Sequence, residues 1–287
     1  MPIAMRMCVL LSCLLANLGM AGPALAVAPC MGDQKAAHYS MYLVPRLVDT
    51  ELFRDWAPFL ERLGTESQVC FELHIPASIP SFEKALLSGT PDFAYMNPFH
   101  LVMVGKSPGY VPLVRDDKEK LTGLLVVRKD SPIRQLSQLQ GGTVAFPAPN
   151  AYAASLLIRA ALDKSHIAIE PDYVGSHSNV FRAVALGQAA AGGASSTALE
   201  QEPEALRAVL RVLYITPAYN SHPFTASQRV PEVVRQRVTG AFLHLMADAS
   251  GRALLRAIQM STPVRADYER DYRELEQLGL MRFVRQD

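Results

Sequence analysis

After residue 36, short runs rich in β-branched and aromatic residues alternate with amphipathic helical stretches, and no Gly- or Ser-rich linker divides them. Such alternation requires sheets covered by helices, the α/β class. The pattern predicts strands at Tyr39–Val44, Val69–Ile75, Asp92–Met96, Val111–Val114, Thr122–Val127, Thr143–Phe146, Asp172–Val174 and Val212–Ile215. Between the first two, Leu52, Phe53, Trp56, Phe59, Leu60 and Leu63 recur at helical spacing and place six apolar side chains on one face. A second long helix is expected from Pro231 through Val234, Val238, Phe242 and Leu245. Without a flexible linker, two domains must be joined by strands that run from one into the other. "KLTGLLVVRKDSPI" (120–133) and "YITPAYNSHPF" (214–224) are the expected crossing points. A lobe at 124–215 is then inserted into an outer lobe made of 37–123 and 216–287, and two connecting strands can hinge over a ligand.

The N-terminus reads as an export signal. Arg6 precedes the apolar stretch Cys8–Leu18, and Gly22-Pro23 and Ala24-Leu25-Ala26 follow. A charged start, an apolar stretch too short to span a bilayer and an A-x-A site define a cleavable signal peptide at 1–26. The secreted chain would begin at Val27 and enter the periplasm. A lipoprotein reading would use Cys30, but Pro29 stands where a small residue is needed. Of 28 basic residues one lies before Val27, so 27 basic face 27 acidic residues afterwards. A balance near zero argues against nucleic acid or a membrane surface as partner. Cleavage removes Cys8 and Cys13 and leaves Cys30 and Cys70, which form either one bridge or two separate thiols.

Enzyme chemistry finds no support. The chain contains no G-x-S-x-G, H-E-x-x-H, Walker loop or G-x-G-x-x-G after a strand. Its seven histidines are scattered and no Cys-x-x-Cys exists, so neither a metal nor a cofactor is expected. Gly192-Gly193-Ala194-Ser195-Ser196 reads as a flexible turn, with no Lys after it to hold a phosphate.

Five stretches in order resemble the phosphonate-, phosphite- and phosphate-binding proteins of ABC transporters, which have the type II periplasmic binding fold. They are "DFAYMNPFHLV" (92–102), "LLVVRKDSPIRQLSQLQGGTVAF" (124–146), "PAPNAYAAS" (147–155), "GSHSNVFRAVALGQAAAG" (175–192) and "SHPFTASQRVPEVVRQRVTGAFLHLM" (221–246). The resemblance extends over about 38–275 and implies two lobes, each a mixed sheet flanked by helices. It implies a monomeric capture protein for a small anion, delivering to a permease in the inner membrane. A ligand sensor for a membrane histidine kinase would use the same hinge, and an enzyme on the fold is a further alternative.

The physics of an anion site suits these stretches. The first turn of a helix offers unpaired N–H groups and a partial positive charge. "PAPNAYAASLLIRAAL" is such a loop-to-helix junction, with Asn150 able to cap it, although an ordinary capped helix reads the same way. His177 can donate to an anionic oxygen and matches a ligand-contacting histidine of the family. Tyr95 and Asn97 close a predicted strand, where α/β folds carry ligands; a buried Tyr and a turn Asn are the plainer alternative. Thr122 on the hinge and His222 on the returning strand complete the expected lining. The departures bear on the ligand. The family's Ser-Thr-Ser hydroxyls fall on Ala151, Tyr152 and Ala153, and its aromatic positions on Ile79 and Leu121. Its carboxylates for the aminoethylphosphonate ammonium fall on Thr197 and His222, neither of them anionic. A buried ammonium without a carboxylate is costly, so aminoethylphosphonate is not the expected ligand.

Overall fold

The strands collect into two main sheets, and strands from both ends of the chain share one of them. The structure, a computed structural model, describes residues 30–45, 48–105 and 109–285; the expected signal peptide lies outside these. The strands are β1 (Met31–Gly32), β2 (His38–Leu43), β3 (Cys70–His74), β4 (Phe93–Tyr95), β5 (Tyr110–Asp116), β6 (Lys120–Leu121) and β7 (Gly123–Arg128). They continue with β8 (Thr143–Phe146), β9 (Glu170–Tyr173), β10 (Ala191–Ser195), β11 (Leu210–Ile215), β12 (Tyr219–Asn220), β13 (Phe224–Ser227) and β14 (Pro263–Arg265). The helices are α1 (Asp49–Ser67), α2 (Ile79–Leu87), α3 (Pro98–Val104), α4 (Leu157–Lys164) and α5 (His177–Ala185). After them come α6 (Ser196–Gln201), α7 (Glu204–Ala208), α8 (Glu232–His244), α9 (Ala249–Ala257) and α10 (Tyr268–Asp271).

The outer sheet has the order β1-β3-β2-β4-β13-β5-β14. Strands β2, β3 and β4 run parallel, and β13 is antiparallel to both its neighbours. The second sheet, β11-β7-β10-β8-β9, is built wholly from residues 123–215. Between the sheets the chain crosses twice, and the two crossings hold each other. Tyr219 pairs with Leu121 and Asn220 with Lys120. One step further, Thr216 N–H donates to Gly123 O at 2.9 Å, and Gly123 N–H donates to Thr216 Oγ1 at 2.9 Å.

The apolar stripe of α1 covers the outer sheet. Leu52, Trp56, Phe59, Leu60 and Leu63 are buried, and Phe59 meets Phe242 of α8 edge to face at 5.0 Å. Such ring pairs add about 0.5–1.5 kcal/mol beyond area burial. Phe53 departs from the expected stripe and is 53% exposed. It sits at the margin of the face, turned away from its centre by most of a quarter turn. Cys30 and Cys70 are joined by a disulfide across a Cα separation of 5.4 Å, which fastens the start of the described chain to β3.

The expected turn at 192–196 is instead the middle of the second sheet, strand β10 between β7 and β8. Its glycines serve close approach rather than flexibility. A Cβ on Gly192 would stand 2.5 Å from Val180 Cγ1 of α5, and one on Gly193 would stand 2.3 Å from Ala154 O and 2.5 Å from Phe146. Helices packed this tightly on both faces leave no room for side chains there.

Candidate functional site

Strand β8 ends at Phe146 and feeds the loop expected to cradle an anion. The helix beyond begins as a π-turn, Tyr152–Leu156, in which the N–H groups of Ser155 and Leu156 both donate to Ala151 O (2.8 and 3.1 Å). Asn150 does not cap it, contrary to expectation; Ala151 holds the cap position and has no side-chain acceptor. The Asn150 amide is drawn off by stronger partners. Its Nδ2 donates to Glu83 Oε2 at 2.7 Å and to Arg285 O at 2.9 Å, and its Oδ1 accepts from Arg285 N–H at 3.0 Å.

Glu83 lies on α2 against the outer sheet, so this contact ties the second sheet's loop to the other lobe. Its second oxygen is 3.0 Å from His100 Nε2, which is also 3.2 Å from Asn97 Nδ2. Asn97 is the N-cap of α3 and accepts from His100 N–H at 2.8 Å. Asn97, His100, Glu83 and Asn150 are all buried, so a buried polar ladder runs from α3 through α2 to the cradle loop and the C-terminal segment. Sequence reasoning missed Glu83, His100 and Arg285. A signal existed for Glu83: it stands between Phe82 and Leu86 in an apolar helix, where a buried carboxylate needs partners.

Tyr152 leaves its own sheet and packs, with Ala153, Leu156 and Leu157, into the core of the outer lobe. Its ring lies 6.5 Å from Tyr219 on the crossing segment. The Tyr152 hydroxyl is buried and has no hydrogen-bond partner among the described residues. Burial, with Tyr219 and Glu274 adding to it, raises its pKa well above the ordinary phenol value, so it is a donor at any physiological pH.

Tyr95 ends β4 with its ring 4.7 Å from that of Trp56 and 5.4 Å from the stacked imidazole of His222. Contacts thus link Asn97 to Asn150 through His100 and Glu83, Tyr95 to His222, and Tyr152 to Tyr219 of the crossing segment. Thr122 and Thr197 belong to a second group. Thr122 Oγ1 donates to Ser196 Oγ at 2.8 Å, pinning the hinge to the start of α6, whereas Thr197 is exposed and reaches only Ser195 Oγ at 3.4 Å among the described residues. His177 opens α5 behind the N-cap Ser176. Its Nδ1 is buried with no partner among the described residues. Burial lowers its pKa below the usual imidazole value, with Glu202 opposing. At neutral pH burial thus favours the neutral ring, with one of its two nitrogens carrying the proton. Surface cavities of about 270 and 150 Å³ are lined by Gly105, Tyr268 and Arg273 and by Leu113, Arg235 and Arg265, and no expected site residue lines either.

Two lobes, each a mixed sheet with helices, joined by paired crossing strands, make this a type II periplasmic binding fold. A Xanthomonas citri protein solved with chloride and with ATP superposes with a TM-score of 0.76 at 19% identity, covering 86% of this chain and 98% of that one. PhnD1 of Prochlorococcus marinus in complex with methylphosphonate gives 0.73 at 16% identity, covering 86% and 99%. A binding-protein component of an ABC phosphonate transporter from Pseudomonas aeruginosa gives 0.71 at 15%, covering 86% and 88%. Residues 41–272 match the family described as "ABC transporter, phosphonate, periplasmic substrate-binding protein", and the chain belongs to that family. It is accordingly a periplasmic solute-binding protein whose partners are a small molecule and a membrane permease. No curated protein sequence matches it significantly.

Proposed function

We propose that the protein captures a small oxyanion of the phosphonate, phosphite or phosphate type between lobes at 37–123 with 216–287 and 124–215, and delivers it by hinge closure without chemical turnover. The observation that carries this reading is a pair of buried polar atoms that have no hydrogen-bond partner among the described residues, Tyr152 Oη and His177 Nδ1. Both stand in stretches that match the family's anion contacts. Leaving such groups unsatisfied costs about 1–3 kcal/mol each, and an oxyanion accepting from them removes that cost. Tyr152 replaces a hydroxyl of the family cradle with a longer reach to one. Backbone N–H groups at Tyr152 and Ala153 supply the remainder, that of Ala151 being turned to Ala148 O at 3.4 Å, with Tyr95, Asn97, Asn150, Thr122 and His222 shaping the wall. Aminoethylphosphonate fits poorly, because Thr197 and His222 offer its ammonium no carboxylate. The protein works as a monomer, exported by cleavage after residue 26.

A melting-temperature panel of phosphate, phosphite, methylphosphonate, aminoethylphosphonate and sulfate tests the reading. A ligand at one hundred times its Kd adds about 2.7 kcal/mol of stability. A small oxyanion should raise the melting temperature of the wild type and do so less for His177→Ala. A response to aminoethylphosphonate alone, or equal responses from both proteins, would refute it.

A further inference from the structure

The polypeptide that follows α10 leaves the outer lobe and lies against the second one. Arg282 pairs with Asp163 of α4 at 3.0 Å, Phe283 packs under the Arg159 guanidinium (5.6 Å), and the Arg285 peptide clasps the Asn150 amide. This strap brings two cations onto one ring. The guanidinium of Arg285 lies 4.9 Å from the Tyr173 ring centroid, and that of Arg159 lies 5.9 Å from it.

Among the described residues the charge of Arg159 meets only neutral acceptors. Its Nε donates to Ser155 Oγ at 3.1 Å and another nitrogen donates to Pro149 O, both neutral acceptors. Among the described residues no carboxylate is within ion-pair distance of Arg159 or Arg285, and the nearby Asp163 is engaged by Arg282. Burial lowers the Arg159 pKa; the Tyr173 phenol opposes this and Arg285 adds to it. Tyr173 Oη is itself buried without a partner among the described residues. A half-buried guanidinium such as that of Arg159 is ordinarily paired, and the exposed Arg285 brings a second positive charge to the same ring. The remaining Arg159 nitrogen, the Arg285 guanidinium and a phenol offer donors only, which is the recognition chemistry of a tetrahedral oxyanion.

We infer that Arg159, Arg285 and Tyr173 form a second oxyanion site, distinct from the cradle, for an inorganic anion of the phosphate class. Because Arg285 belongs to the strap and Arg159 and Tyr173 to the second lobe, an anion held there ties the lobes together. It stabilises the closed form and tightens capture in the cleft. This site stands independently of what the cleft binds.

The test is a titration of inorganic phosphate at constant ionic strength, read by calorimetry and melting temperature. His177→Ala weakens the cleft contribution, and this variant should retain a phosphate response. Adding Arg159→Gln to that variant should weaken the response tenfold or more, and adding Arg285→Gln should do the same, so the conclusion does not hang on one variant folding well. No phosphate response in His177→Ala, or one that survives both arginine substitutions, overturns the inference. Asp287, outside the described residues, supplies the control for a carboxylate of the chain itself. If phosphate binds only in His177→Ala/Asp287→Asn, the cluster seats that carboxylate and the inference falls. Failure of the cleft reading looks different: wild type and His177→Ala would bind alike while the arginine dependence persists.

Discussion

Replacing Tyr152 by Phe separates the cost of a buried donor from its use. The ring stays where it packs against the outer lobe and Tyr219, and only the hydroxyl, which has no partner among the described residues, is lost. In ligand-free buffer that hydroxyl costs about 1–3 kcal/mol, so its removal should stabilise the protein by about 2 kcal/mol. For a chain of this length the melting temperature should rise by roughly 4–8 °C. With methylphosphonate or phosphate bound, the same hydroxyl donates to a charged oxygen, a bond worth about 1.5–3 kcal/mol. The variant should therefore bind roughly ten- to a hundredfold more weakly. Differential scanning calorimetry without ligand and isothermal titration with it give both numbers from one preparation. A variant that melts below the wild type without ligand, or that keeps full affinity, would show that Tyr152 Oη is neither unsatisfied nor a ligand donor.

Reducing the Cys30–Cys70 bridge reopens a loop with a sequence separation of 40, and chain entropy predicts a loss of about 4 kcal/mol, to be read from urea unfolding with and without reductant. Gly193→Ala forces a methyl to 2.3 Å from Ala154 O and should destabilise by about 3 kcal/mol or prevent folding, checked by circular dichroism and thermal melting. Burial raises the pKa of Asp271, but hydrogen bonds from Arg270, Asp267 N–H and Arg115 outweigh it and hold the pKa at about 2. A carboxylate held below its unfolded value adds stability that is full above about pH 4 and disappears as pH falls towards 2. Asp271→Asn should accordingly flatten the acid limb of a stability–pH curve. For His177 the depressed folded pKa has the same sign: unliganded stability falls as pH drops below about 6.5. Anion affinity should rise over that interval, since protonation then favours the complex.

Periodicity made most of the outer architecture readable. The strands from Tyr39 to Val127 and the stripe through Trp56 and Leu63 follow from side chains that must face a core, and each overlaps an observed element. Strand β10 was hidden because its sequence, Ala-Gly-Gly-Ala-Ser, has no side chains to carry a pattern. What excludes those side chains is the approach of α5 and the π-turn, a tertiary fact. Asn150 was misread for a related reason. A capping role is local, but its true partners, Glu83 and Arg285, lie 67 and 135 residues away. The lowered pKa of His177 arises from burial, which motif comparison does not reveal.

The outer sheet places β13 between β4 and β5, which sets an order on biosynthesis. When the ribosome has made β4 and β5, both present open edges to a gap that stays unfilled until Phe224–Ser227 emerges, 108 residues after Asp116 at the end of β5. The second sheet, by contrast, is complete at Ile215. The segment made first is thus among the last to become native, since its central hydrogen bonds await a distant partner. Truncation before residue 224 would accordingly leave two sticky edges exposed to aggregation.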